Sequence, residues 1–217
     1  INANIMVVSD LLMNLEMNFG WATTGVLGDI TLSGPGGIIG SHFRASEISD
    51  VTIRKGFGLF NSIFSVPGAA TMGNFKVDGF GIRDVRFLLG ASMGNIDATG
   101  KGAMLSTSDY TLSVRPSEYA PDTANRLNDL ETFLRSSTGL AGVIDDVWAF
   151  GSADLGMVSG YQIRNTRLHF ANSIKGVHTD DMISGLELVT GTLGFFKPGS
   201  DVAALDMSVA GTVKNIT

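Results

Sequence analysis

A six-residue pattern of apolar and polar positions recurs along this chain. It consists of an apolar residue, any residue, Asp or Asn, then Val, Ile or Thr, any residue, and a second apolar residue. The clearest copy is Ile48–Ile53, with the sequence ISDVTI. Other copies, of which the last two are truncated or weaker, begin at Leu27, Ile82, Ile163, Val213 and Ile144. About one match is expected by chance at this composition, so the pattern indicates a repeated structural unit.

The spacing of the apolar positions predicts a bend inside this unit. A regular strand alternates faces every second residue, so the first, fourth and sixth positions share a face only if the chain bends between the first and the fourth. The Asp or Asn stands at that bend, and both residues bond to nearby backbone and tolerate turn or left-handed conformations. We therefore expect a polar corner followed by a strand, as in a β-solenoid or a meander.

Most of the remaining chain predicts short strands between glycine turns. Residues 13–21 alternate apolar and polar positions, and Gly34–Gly37 predicts a turn. Further strands are expected over residues 143–150, 157–170, 182–193 and 202–216. The fold class is therefore mainly β, either solenoid-like or a meander or sandwich, in one domain over residues 1–217.

Residues 117–139 depart from the β pattern and predict a helical insertion. Asp122 or Thr123 can cap the start of a helix, and Gly139 supplies a stop. Apolar residues follow at helical spacing, at Leu127, Leu130, Phe133 and Leu134. We expect one α-helix over about residues 122–138, with its apolar stripe covering part of the β structure.

Composition narrows the range of partners. The net charge is −6 and the pI is near 4.9, which argues against nucleic acid. Only 17% of the residues are charged and the mean hydropathy is +0.23. These values predict either a surface covered by other subunits, a membrane or a ligand, or a solenoid with a well-filled core. The chain has 28 glycines and no cysteine, so disulfides and thiolate metal sites are excluded. Because it begins with Ile1, we expect a mature exported chain.

The search for catalytic motifs finds none. Gly100–Gly102 contains a lysine but lacks the glycine spacing and the following Ser or Thr of a phosphate-binding loop. The sequence contains no Gly-x-Ser-x-Gly elbow, no His-Glu-x-x-His pair and no EF-hand loop. We therefore expect no enzyme activity, no catalytic or cofactor-binding residue, no cofactor and no metal ligand.

Histidine is a common metal ligand, and the chain contains three. His42 and His169 fall in predicted strands and are interpreted as structural or surface residues. His178 is the best candidate for a cation site, because Asp180 and Asp181 follow it on a predicted turn. A solvated loop is the favoured interpretation of that segment.

Two regions are candidates for contacts between subunits. Residues 1–12 form an apolar segment that could be either a buried strand or a strand that packs into a neighbouring subunit. Residues 56–64 carry large apolar side chains that cannot share one strand face, which predicts either core with a bulge or an exposed contact site. The subunit-contact candidates are Ile5, Val7, Leu11, Phe57, Phe60, Phe64, Phe195 and Phe196.

Two phrases carry a resemblance to known proteins. They are NFGWATTGVLGDITLSG, from Asn18 to Gly34, and GFGIRDVRF, from Gly79 to Phe87. Both are similar to the repeating strands of exported β-rich surface and filament-associated proteins of Gram-negative bacteria, which are domains of unknown function. The resemblance covers about a third of the chain. It implies a structural or adhesive role and no particular site residue.

Two functions follow as hypotheses. The first is an extracellular or cell-surface structural subunit that self-associates into a filament or layer, as a homo-oligomer or polymer without nucleic acid. The alternative is a β-helical protein that binds or cleaves polysaccharides, with an acidic sugar facing Arg54, Lys55, Arg164 and Arg167. Cell-surface or polysaccharide contact fits both hypotheses, and membrane association is left open.

Overall fold

A computed structural model of the chain describes residues 2–7, 12–13, 16–18, 25–34, 37–106 and 138–217. Side chains are described for residues 25–34, 37–105 and 139–217. This part of the chain is mainly β and forms a parallel β-solenoid of about eight turns. The mainly β prediction is thus confirmed, and the solenoid is the architecture found.

Each turn contributes one strand segment to each of two parallel sheets. Strands that are neighbours in a sheet belong to successive turns, and the chain passes through the other sheet between them. The first sheet consists, in stacking order, of β1 (Asn2–Val7), β4 (Val26–Leu32), β7 (Glu47–Ile48) with β8 (Val51–Ile53), β10 (Phe75–Val77), β12 (Ile96–Ala98), β16 (Asp154–Gly160), the second halves of β18 (Arg167–Thr179) and β19 (Ile183–Lys197), and β21 (Val213–Ile216).

The second sheet takes the alternate strands. It consists of β2 (Leu12–Met13) with β3 (Glu16–Asn18), β5 (Gly37–Ile39) with β6 (His42–Arg44), β9 (Gly58–Val66), β11 (Gly81–Leu89), β15 (Val143–Gly151), β17 (Gln162–Arg164), the first halves of β18 and β19, and β20 (Val202–Val209). Strands β18 and β19 are long because each continues around a corner from the second sheet into the first.

The core lies between the two sheets and consists of columns of mostly apolar residues, with Thr166, Thr179 and Thr190 also buried. Phe64 of the second sheet meets Phe75 of the first with ring centroids 4.8 Å apart, which shows that the sheets face each other. Phe43, Phe64 and Phe87 follow one another in adjacent turns, with centroids 4.8 and 5.7 Å apart. Stacked and edge-on ring pairs of this kind add about 0.5–1.5 kcal/mol to the burial of their surface.

A ladder of Asp and Asn side chains connects successive turns of the first sheet. The Oδ1 atom of Asp29 accepts the backbone N–H of Asp50 at 3.3 Å, and Asp50 accepts that of Asn74 at 2.7 Å. Asn74 accepts from Asn95 at 2.9 Å, and Asn95 accepts from Met157 at 2.8 Å. Each short side chain thus takes up one backbone donor of the turn above it.

Glycine precedes several of these ladder positions because the ladder needs the space. A Cβ atom on Gly94 would lie 2.7 Å from Oδ1 of Asn74, and Gly73 and Gly156 are crowded by the ladder in the same way. The local signature of this corner is therefore Gly-Asn or Gly-Asp.

The copies of the six-residue pattern fall into two different columns of the solenoid. In the first sheet, Asp29, Asp50 and Asn215 are in register, whereas Asp84, Asp146 and Asn165 are in register in the second. The repeating unit is therefore half a turn, and a complete turn takes 19 to 26 residues outside the insertion. This explains why the copies are unevenly spaced in the sequence.

An insertion leaves the solenoid at the corner between β12 and β15. Its base is an antiparallel pair formed by β13 (Met104–Ser106) and β14 (Thr138–Leu140). Residues 107–137, which hold most of the predicted helix, lie outside the described residues. At the predicted end of that helix, Thr138 is a strand residue that pairs with Ser106, not a helical residue.

Candidate functional site

A column of left-handed residues bends every strand of the second sheet from the second turn to the eighth. Their φ angles lie between 43° and 69°, and neighbouring members are in register. The column consists of Gly40, Asn61, Asp84, Asp146, Asn165, Gly185 and Ala204. The predicted corner is thus confirmed at Asp84, Asp146 and Asn165. Because the bends are in register, they form one continuous line along the solenoid.

Beside this line, an arginine–tryptophan–arginine stack joins three successive turns. The guanidinium carbon of Arg86 lies 4.3 Å from the centre of the Trp148 ring, and that of Arg167 lies 4.5 Å from it. The two arginines belong to the turns on either side of Trp148, so both ring faces are covered. Trp148 therefore presents its edge, not a face, to any ligand.

Carboxylates hold both arginines in place. Arg86 donates to the Asp146 carbonyl at 2.6 Å, and it forms ion pairs with Asp84 at 3.1 Å and Asp146 at 3.2 Å. Arg167 pairs with Glu187 at 3.1 Å through Nε. The other carboxylate oxygen of Glu187 is 2.7 Å from Nε2 of His169.

A groove of about 310 Å³ lies beside this stack and crosses four successive turns. Its lining comprises Asp146, Trp148, Asn165, Arg167, Gly185, Leu186, Glu187, Ala204 and Asp206. Among the described residues, Asp206 has no hydrogen-bond or ion-pair partner, and the terminal nitrogens of Arg167 have no acceptor. The groove therefore offers both an unused acceptor and unused donors.

The second candidate site is the last turn of the solenoid, which we call the terminal edge and define as β20 and β21. Four residues occupy inward positions but are exposed, namely Val202 (40%), Leu205 (38%), Val213 (36%) and Ile216 (64%). Their partners one turn below are buried core residues, Ile183, Leu186, Leu193 and Phe196. In the described part of the chain no strand pairs with the outer side of β20 or β21. Within the described residues, nothing covers the apolar side chains of the terminal edge.

The groups around His178 do not converge on a common point. Nε2 of His178 lies 3.3 Å from Asp180, and Nδ1 lies 3.1 Å from the Lys197 carbonyl. Asp181 instead accepts from Gln162 at 2.6 Å and from Ser200 at 2.8 Å, and these donors hold the pKa of Asp181 below its usual value. No group of three or more His, Asp or Glu side chains within the described ranges is placed to hold a metal ion.

The four basic residues proposed to face an acidic sugar are separated in the structure. Arg54 and Lys55 occupy the corner after β8, where the Lys55 backbone N–H donates to Asp78. Arg164 lies before the bend at Asn165 and donates to Gln162, whereas Arg167 lies after the bend in the groove. The prediction that these four residues form a single basic surface is therefore wrong.

Most of the aromatic subunit-contact candidates lie in the core. Phe57, Phe60, Phe64 and Phe196 are buried, so the interpretation of residues 56–64 as core is the correct one. Phe195 is partly exposed and its ring lies against Gly176. Ile5 and Val7 pair in register with Ile30 and Leu32, and Leu11 lies outside the described residues.

Sequence reasoning missed three lining residues of the groove, Trp148, Glu187 and Asp206, and also Arg86, which packs on Trp148. They are separated by 19 to 62 positions, and only the parallel register brings them together. The corner pattern could have predicted that Arg86, Trp148 and Arg167 lie in one column. Each of them stands two residues after the Asp or Asn of its copy.

The fold defines the class of the molecule as a parallel β-solenoid, with a lateral groove and with exposed apolar side chains on the last described turn. Comparisons with models of known protein families, with curated proteins and with solved structures find no match. None of the described residues form a helix long and apolar enough to cross a membrane.

Proposed function

We propose that this chain is an extracellular or cell-surface structural subunit that self-associates end to end, with a second copy covering the terminal edge. The observation that carries the proposal is the exposure of four inward-facing apolar residues on β20 and β21. Contiguous exposed apolar surface marks interaction sites, and unpaired strand edges accept further strands. In this proposal the subunit has no catalytic role and needs no cofactor.

The first turn of a second copy would continue both sheets of the solenoid beyond the terminal edge. Strands β1, β2 and β3 belong to the same two sheets and pair only with the turn above them among the described residues. Continuing the register of the stack would place apolar residues on apolar residues at three inward positions. These pairs are Ile5 on Ile216, Leu12 on Val202, and Met17 on Met207.

The composition supports the same proposal. The chain is poor in charge and contains no cysteine, a combination that suits exported surface proteins. The resemblance of two strand phrases to surface and filament-associated proteins adds to it.

The first prediction tests this joint by placing a charge on it. We expect the 217-residue chain to form particles many times heavier than its 22.8 kDa in light scattering without detergent, and linear objects in negative stain. Ile216→Lys should reduce them to monomer, because stacking would desolvate an unpaired ammonium group. Leu88→Lys is the matched control, because Leu88 is exposed on the side of the solenoid. This variant should assemble normally.

The proposal would be wrong if the unmodified chain were monomeric at every concentration. It would also be wrong if both lysine variants changed the mass equally, since the association would then not depend on the terminal edge.

A further inference from the structure

We propose that the groove beside Trp148 binds a neutral polysaccharide chain. The groove opens on the side of the solenoid, and its last lining residues, Ala204 and Asp206, belong to β20 of the terminal edge. Its lining residues come from four turns in succession, from Asp146 to Asp206. Adjacent strands are about 4.8 Å apart, so the groove extends about 14 Å along the solenoid axis. A ligand that fills it is extended, as a polymer segment is.

The polar groups of the groove match hydroxyl groups better than they match charges. Asp206 offers a carboxylate without a partner, and Arg167 offers terminal N–H groups without an acceptor. Asn165, whose amide bonds to Asp145 at 3.1 Å, adds a side chain that can both donate and accept. Sugar hydroxyls also donate and accept, so they can satisfy all three groups at once.

The charge of the groove disfavours an acidic sugar. Three carboxylates line it, those of Asp146, Glu187 and Asp206, against the single guanidinium of Arg167. A polyanion would therefore meet a net negative wall, and like charges in close contact are unfavourable. A polycation is disfavoured as well, because Arg86 and Arg167 already pair with two of these carboxylates.

Trp148 has a positioning role in this site. Arg86 and Arg167 cover its two faces, so it cannot serve as a stacking platform for a sugar ring. Instead it holds the guanidinium of Arg167, whose central carbon lies 4.5 Å from the ring centre, and Glu187 fixes the Nε end of the same group. The donors of Arg167 are thus held in place before a ligand arrives.

The test measures binding of defined sugars to the intact chain by calorimetry and by tryptophan fluorescence. The probes are neutral hexasaccharides of glucose, mannose and xylose, with oligogalacturonate and oligolysine as charged comparisons. At least one neutral hexasaccharide should bind, and Asp206→Asn should weaken it about tenfold, the equivalent of one charge-assisted hydrogen bond. Asp201→Asn changes an exposed carboxylate on the same turn outside the groove lining and should leave the affinity unchanged.

Three results would overturn the proposal. They are the failure of every neutral hexasaccharide to bind, binding that Asp206→Asn does not weaken, and preferential binding of oligogalacturonate or oligolysine in the groove. Repeating the titration with the Ile216→Lys variant separates the two proposals, because that variant should lose assembly and keep sugar binding.

Discussion

Single residues matter most in this molecule where the backbone is left-handed. Seven turns, from the second to the eighth, share the bend in the second sheet. Six of them place Gly, Asn or Asp there, and the last of them places Ala204 there, with φ of 51°. A left-handed conformation costs an alanine about 1–2 kcal/mol because its Cβ crowds the backbone. Ala204 is therefore a strained residue in an otherwise consistent column.

We predict that Ala204→Gly stabilises the chain by up to about 1 kcal/mol, because glycine removes this strain. Part of the gain is lost, because glycine also raises the conformational entropy of the unfolded chain. The matched control is Ala203→Gly, one position earlier, where φ is not positive. It should destabilise the chain by about 0.5–1 kcal/mol. Urea unfolding of both variants decides the matter, and equal shifts in the two would show that Ala204 is unstrained.

The corner residues were predictable because their evidence is local. Asp84 and Asn165 occupy a phase of the apolar pattern that only a bend can satisfy, and their side chains tolerate that bend. The ladder through Asn74 and Asn95 was not predictable, because it depends on which turn lies above which. The same limit applies to Asp206, whose lack of a partner appears only once its neighbours are known.

At the level of elements, the insertion is attached to the solenoid so that its two ends meet. A Cβ atom on Gly142 would lie 3.0 Å from the Cα of Gly100, and the backbone N–H of Gly142 donates to the carbonyl of Gly79 one turn below. The corner below runs from Val77 to Gly81 through three residues. Thr99, Gly100 and Gly142 would provide the same number between Ala98 and Val143.

We therefore predict that residues 101–141 can be removed by joining Gly100 directly to Gly142. The deletion reduces the separation of Asn95 and Met157 from 62 residues to 21, the separation of Asn74 and Asn95. The shortened chain should keep its β circular dichroism and unfold cooperatively, with a modest loss of stability because Phe80 and Tyr161 lose their cover from Gly139 and Gly102.

As a control, the same length can be removed from within the stack, by deleting residues 143–183. That deletion removes strands β15 to β18, so we expect the resulting chain to be unfolded or aggregated. If the 101–141 deletion were equally damaging, the solenoid would depend on the insertion for folding and the prediction would be wrong.

The strands of the second half were predictable, whereas their partners were not. Residues 143–150 and 202–216 show strand periodicity on their own, and β15, β20 and β21 are found there. Parallel pairing joins residues about 20 positions apart through corners of variable length, and periodicity says nothing about that. The groove is a product of this pairing, which is why its residues could not be grouped from the sequence.

For the whole molecule, stability is distributed along the stack by nearest neighbours. In a solenoid each turn contacts only the turns beside it, so a turn with two neighbours is held more firmly than one with a single neighbour. Val177 lies between Val158 and Phe196 and is buried, whereas Val213 contacts only Leu193 in its column and is 36% exposed.

We predict that Val177→Ala destabilises the chain by about 2 kcal/mol, from two lost methyl groups and the cavity they leave. The identical change at Val213 should cost less than about 0.5 kcal/mol at a concentration where the chain is monomeric. Chemical unfolding monitored by circular dichroism gives both values. Similar losses would mean that the terminal edge is already covered in the monomer.

Because the register of the columns is constant, the length of the solenoid along its axis increases in proportion to the number of residues in its turns. Between the fifth turn and the eighth, corresponding positions recur every 19 or 20 residues, and each recurrence raises the stack by one strand spacing of about 4.8 Å. A duplication of one such unit would lengthen the rod by that step and leave every other contact as it was. The insertion after β12, by contrast, adds residues without adding height. Duplication or deletion of such units therefore changes the length of the solenoid in fixed increments. Insertions at the corners vary independently of that length.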